Sequence, residues 1–122
     1  MNLEKIVVAQ QNKIIFIKPE EIIFCQSDSC YTNIYLVGDR QILIVKSLTK
    51  FHKELLSKAF IRVNQSFIIN KNFIQSVDKK KRCIELESGQ IVPFTVSLKQ
   101  LLLMMRQEAD LTLLPFDDTI EA

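Results

Sequence analysis

Two glycines and one histidine among 122 residues remove several chemistries at once. A phosphate-cradling loop needs more glycine than the chain holds. No nucleophile-elbow motif is present, and His52 is the only imidazole that could serve a serine or cysteine nucleophile. The acids are scattered along the chain and form no obvious acid/base pair. An enzyme is not expected. Three cysteines (Cys25, Cys30 and Cys83) and His52 do not offer four closely spaced zinc ligands, so neither a metal nor another cofactor is expected. An odd number of cysteines does not make a disulfide framework, and free thiols are the expectation.

Long apolar runs are missing as well. The longest, LLLMM at 101–105, falls far short of the roughly 18 residues that span a bilayer. The opening MNLEKIVVAQQ lacks a basic lead, a long apolar core and a small-residue cleavage site. The sequence therefore predicts a cytoplasmic location with no membrane insertion. The scarcity of glycine and proline, with no low-complexity run, argues against disorder away from the ends.

What is present is apolar: 48% of residues, enough for a core in one domain. Charge is unevenly placed. Residues 1–106 carry all 16 Lys and Arg against nine acids, a net +7, whereas residues 107–122 carry five acids and no base, a net −5. The expected organisation is a folded domain over 1–106 followed by an acidic, partly apolar tail over 107–122. A basic body suits a polyanion partner, with the tail as a competitor; a solvated surface with a frayed acidic end explains the same counts.

The pattern predicts mostly strands. KIVVA (5–9) and KIIFIK (13–18) flank the polar turn QQN, and IIFCQS (22–27) follows. In YTNIYLV (31–37), Thr32, Ile34 and Leu36 share one side. Gly38 and Asp39 turn the chain into RQILIVK (40–46). The runs IIFI and ILIV are apolar on both faces, which predicts a layered β structure with some strands covered twice. FIQSV (73–77), RCIELE (82–87) and QIVPFTV (90–96) continue the series, with Ile84 and Leu86 facing in. Pro93 implies an edge strand or a bulge. KKKR at 79–82 reads as a solvated hairpin tip.

Two helices are predicted, far apart in the chain and so not a helix-turn-helix. Ser47 caps the first, whose apolar stripe is Leu48, Phe51, Leu55 and Leu56, with His52 as a packing or rim residue. Ser97, followed three residues later by Gln100, forms a capping box for the second. Its stripe is Leu98, Leu101, Leu102 and Met105, with Leu103 and Met104 off that face.

Three stretches carry a resemblance to the LytTR family of bacterial DNA-binding domains: CYTNIYL, SLTKFHKELLSKAFIRVNQSFIINKNFI and GQIVPFTVSLKQLL. The second follows the family order of a short helix and then Phe-Ile-Arg-Val-His-x-Ser-x-x-Val-Asn. With KIIFIKPEEIIFCQS, the likeness covers residues 12–103. It implies a mainly β fold, an elongated sandwich of three antiparallel sheets with one short internal helix and a C-terminal helix. It also implies sequence-specific binding of double-stranded DNA at paired repeat sites by loops in successive major grooves. The role implied is a transcriptional regulator, the output domain of a two-component response regulator, here without a receiver. A second copy of the chain or a separate signalling protein is the expected further partner.

Site residues transfer one by one. The first contact loop of the family falls on Ser29, Cys30 and Tyr31, although Tyr31 equally suits a packed aromatic at a strand start. The second falls on Asn64, Gln65 and Ser66, where the family often has His, then Arg or Asn, then Ser. Gln65 can pair with adenine and Ser66 can bond a phosphate. Asn70 matches a family Asn and reads as a turn residue tolerating left-handed dihedrals. The third region is Thr95, Val96 and Ser97; the family commonly has Ser then Arg here, and this chain has no guanidinium at that place. Lys46, Ser47, Arg62, Lys71 and Lys99 are the expected backbone contacts, each lysine equally suited to a solvated surface. The missing Arg and the apolar residues Leu103, Met104, Leu111, Leu113 and Leu114 support an alternative: an interaction or dimerisation module on the same scaffold.

Overall fold

A computed structural model of the chain describes residues 5–106. The tail over 107–122, including Leu111, Leu113 and Leu114, lies outside the described residues.

Among the described residues, ten strands and two α-helices follow one another. The strands are β1 (Ile6–Ala9), β2 (Ile14–Ile17), β3 (Ile22–Asp28), β4 (Tyr31–Leu36), β5 (Arg40–Ile44), β6 (Phe60–Arg62), β7 (Phe67–Asn70), β8 (Ile74–Asp78), β9 (Cys83–Leu86) and β10 (Ile91–Pro93). Helix α1 (Leu48–Glu54) precedes β6, and α2 (Leu98–Met105) follows β10. All pairing is antiparallel, in three sheets: β1-β2, β5-β4-β3-β7-β6 and β10-β9-β8. The predicted mainly β, three-sheet fold with two helices is what the chain adopts.

The five-stranded sheet is the middle layer, and its strands feed two separate cores. Ile22, Cys25, Ile34, Leu36, Phe60 and Ile68 pack against β1-β2 and α1. Phe24, Ile61 and Ile69 pack against Ile84, Leu86 and Val92 of the small sheet and Leu101 of α2. A register shift between Ile22 and Phe24 changes which core each residue of β3 faces. Strict alternation would put Ile22 and Phe24 on one face; the bulge's extra residue places them on opposite faces.

The twice-covered strands are thus β3, β6 and β7, whereas IIFI and ILIV are not. Phe16 is 63% exposed and Val45 82% exposed. Their partners Ile17 and Ile44 face the first core, and nothing among the described residues covers the opposite face. An apolar run shows that burial on both sides is affordable, not that it occurs.

Both caps form as the sequence predicts. Ser47 accepts from the Lys50 amide and Ser97 from the Gln100 amide, at 3.1 and 3.0 Å. Leu48, Phe51 and Leu55 are buried, but Leu56 is 75% exposed. Helix α1 ends at Glu54 and Leu55 is extended, so helical spacing no longer governs residue 56. His52 sits at the rim, its Nε2 3.3 Å from the Phe60 carbonyl oxygen. In α2, Leu98, Leu101, Met104 and Met105 meet the second core, so Met104 takes the inward place predicted for Leu102. Leu103 remains exposed. Pro93 lies on an edge strand, where its missing N–H costs no ladder bond. No helix among the described residues is long and apolar enough to cross a membrane.

Candidate DNA-binding face

Between β6 and β7 the chain makes a short loop whose own side chains fix its shape. The Asn64 Oδ1 accepts from the amides of Ser66 and Phe67 at 2.7 and 2.8 Å. This is the local turn chemistry that short amide side chains favour. Arg62 closes the loop from the other side. Its Nε donates to the Asn64 carbonyl at 2.9 Å, and its Nη2 to the Gln65 carbonyl at 2.6 Å. With Arg62 and Asn64 committed to the backbone, Gln65 and Ser66 stand exposed at the tip.

Two further segments are tied to this loop. The Ser27 amide donates to the Ser66 carbonyl at 2.9 Å, which brings the end of β3 alongside. Asp28 pairs with Tyr31, leaving Ser29 and Cys30 as a two-residue tip with Ser29 at φ 58°. Ser29, Cys30 and Tyr31 are all exposed. On the other side, the Asn64 Nδ2 donates to the Pro93 carbonyl at 2.6 Å and the Thr95 amide to the Val63 carbonyl at 3.0 Å. The junction between β10 and α2 therefore docks on the loop, and Arg62, Asn64, Gln65, Thr95 and Val96 line a shallow groove of about 260 Å³.

The start of α1 adjoins the same place. Arg62 Nη1 donates to Thr49 Oγ1 at 3.0 Å, and Thr32 Oγ1 to the Lys46 carbonyl at 2.8 Å. Ser47 is half committed by its capping bond, and Lys46 forms an ion pair with Glu54 that offsets its charge. Lys99 is exposed on the first turn of α2, two residues beyond Ser97. Thirteen of the fourteen sequence-predicted residues thus belong to the 64–66 loop, the two segments bonded on either side of it, and the helix starts nearby.

Lys71 is the exception. It is 4% exposed in a 3-10 turn after β7, and its Nζ is buried without a hydrogen-bond partner. Placed there it does not reach a phosphate. Its backbone explains the position: the Lys71 amide donates to the Ala59 carbonyl at 2.8 Å, which holds the turn against the core. Asn70 needs a second correction. Its backbone is extended (φ −85°) and its side chain is buried, donating to the Ile22 carbonyl at 2.9 Å and accepting from the Asn72 amide at 3.0 Å. It ties β7 to β3 instead of tolerating a left-handed turn.

One residue was missed by reading the sequence. The turn at 79–82 is exposed, and the Asp78 Oδ1 accepts from the Lys80 and Lys81 amides at 3.1 and 2.9 Å. Arg82, however, reaches back to the β10–α2 junction. Its Nη2 donates to the Val96 carbonyl, and its guanidinium lies 4.7 Å over the Phe94 ring. The Phe94 amide donates to the Arg82 carbonyl at 3.1 Å. Antiparallel register could have found this pair, since Cys83 is opposite Pro93 and the next pair outward is Arg82 and Phe94.

The three cysteines are free; Cys30 is exposed, and burial pushes the Cys25 thiol up to about 12. No group of three His, Cys, Asp or Glu among the described residues is placed to hold a metal ion.

Comparison with known proteins agrees with this architecture. Accessory gene regulator protein A from two strains of Staphylococcus epidermidis is 26% identical over 90 residues, which are 73% of this chain and 37% of those proteins. The chain thus matches little more than a third of the length of these relatives. A LytTr DNA-binding domain from Bacillus cereus superposes with a TM-score of 0.68 at 18% identity, covering 88% of this chain and all of that one. At that identity the likeness concerns the fold. The family model for the LytTr DNA-binding domain matches residues 12–106, most of the chain and all three loops of the face, and the protein belongs to that family.

Proposed function

We propose that the chain binds double-stranded DNA in a sequence-dependent way, its loops entering the major groove, as the DNA-reading part of a bacterial transcriptional regulator. The observation that carries this reading is the convergence of three loops on one face, with the tip side chains left outward. Asn64 and Arg62 are consumed in shaping that face. Gln65 is then free to pair with an adenine edge, while Ser29, Ser66 and Thr95 offer hydroxyls to phosphates. Lys80, Lys81 and Lys99 are exposed cations suited to the backbone. Two copies on paired repeats would double the contacted surface, and the acidic tail would compete with DNA for the basic one.

Fluorescence anisotropy with duplex fragments from near the chain's own gene tests this at two salt concentrations. The expected result is binding that weakens steeply with salt, by a log–log slope of about 0.9 for each phosphate neutralised. No binding at low salt, by the full chain or by a chain ended at Gln107, contradicts the reading.

A further inference from the structure

We propose that Arg82 supplies the base-reading guanidinium that the β10–α2 junction itself lacks, delivered to it from the neighbouring hairpin turn. This rests on the DNA-binding reading above and names a guanine-reading residue within it. The junction residues Thr95, Val96 and Ser97 bring no positive charge. Arg82 is a cation bonded to them, through the Val96 carbonyl, and Val96 lines the same shallow groove as Asn64 and Gln65.

Three features fit a reading role better than a simple staple. First, a guanidinium has five N–H donors, and the Val96 carbonyl takes one of them, so donors remain for a base. Second, stacking on Phe94 fixes the plane of the group before any ligand arrives, so less rotamer freedom is lost on binding. Third, Arg82 holds a left-handed backbone (φ 54°), a conformation that costs a non-glycine residue free energy. That strain orients the chain so that an exposed residue, next to the exposed Lys80 and Lys81, points its head group at the junction. A guanidinium so held presents the paired donors that match O6 and N7 of guanine in the major groove.

The test uses the full chain, a duplex enriched from a random pool by the wild-type protein, and a scrambled duplex. Arg82→Lys keeps the charge and loses the fork. Arg82→Gly removes the group and relieves the left-handed strain, which offsets the backbone entropy that glycine loses on folding. Melting curves check that both variants are folded before binding is compared. The expected result is a loss of roughly 5- to 150-fold on the enriched duplex for each variant, the range for one bidentate base contact. Arg82→Lys should bind the scrambled duplex within about twofold of wild type, since its phosphate attraction persists. Repeating the enrichment with Arg82→Gly should relax the preference at one G·C pair and leave the others. Unchanged affinity and preference would overturn the assignment and leave Arg82 a staple. Equal losses on both duplexes would also overturn it, by showing a phosphate contact. A wild-type protein that binds neither duplex would instead sink the DNA-binding reading itself, a different result from the first two.

Discussion

Asn64 stands where the family often has histidine, and its bonds make it a positioning residue instead of a base reader. Truncation to Ala removes three hydrogen bonds: two accepted from Ser66 and Phe67 and one donated to Pro93. At about 1 kcal/mol net for each bond, the ceiling is about 3 kcal/mol. Ser66 is exposed and its amide regains water, which lowers the expected cost to about 1–3 kcal/mol. For a domain of this size that is a melting-temperature fall of roughly 5–20 °C. Asn64→Asp keeps the acceptor oxygen and loses the bond to Pro93, so it should fall between wild type and Asn64→Ala. The loop of the truncated protein must then be ordered by DNA, and affinity should drop about fivefold or more on every duplex, with the sequence preference unchanged. Calorimetry for stability and anisotropy for binding measure both halves. A melting temperature within about 1 °C of wild type, or a loss confined to one base pair, would refute the positioning argument.

Two further outcomes follow from buried groups. Lys71→Met replaces a buried, unpaired ammonium with an apolar chain of similar length and should raise the urea midpoint, by about 1 kcal/mol or more in free energy, while leaving DNA affinity and its salt slope unchanged. A weaker salt slope would instead show that Lys71 does meet a phosphate. Cys25 makes stability fall at alkaline pH. Its thiol ionises near 9 when unfolded and near 12 when folded, so above pH 9 the native state holds the extra proton and stability declines as pH rises towards 12. Urea denaturation from pH 8 to 11 should show a decline that is shallower in Cys25→Val; identical slopes would count against it.

Much of the scaffold could be read from the chain because its signals are local. Alternation fixed the inward faces of β4 and β9, Ser47 and Ser97 marked both helix starts, and Pro93 marked an edge strand. Signals that depend on a distant partner could not be read. Whether IIFI and ILIV were covered twice depended on which layers lay above them, and among the described strands it is β3, β6 and β7 that meet both cores. Lys71 and Arg82 show the same limit in the site. A lysine after a strand carries no mark of burial in sequence. The anchorage of Arg82 to Val96 spans 14 residues and emerges only when β9 is set beside β10. Asn64 was legible as part of the face, but its bond to Pro93 across 29 residues turned a candidate reader into a shaper.

On the proposed function, one face built from loops at 29–31, 64–66 and 95–97 reads duplex DNA. Enrichment of a random duplex pool on the purified full chain tests it most directly. The expected result is a recurrent motif bound by wild type, with an adenine position that relaxes in Gln65→Ala. Enrichment that yields no motif at low salt, or a motif unchanged by Gln65→Ala and by substitutions throughout the three loops, would contradict it.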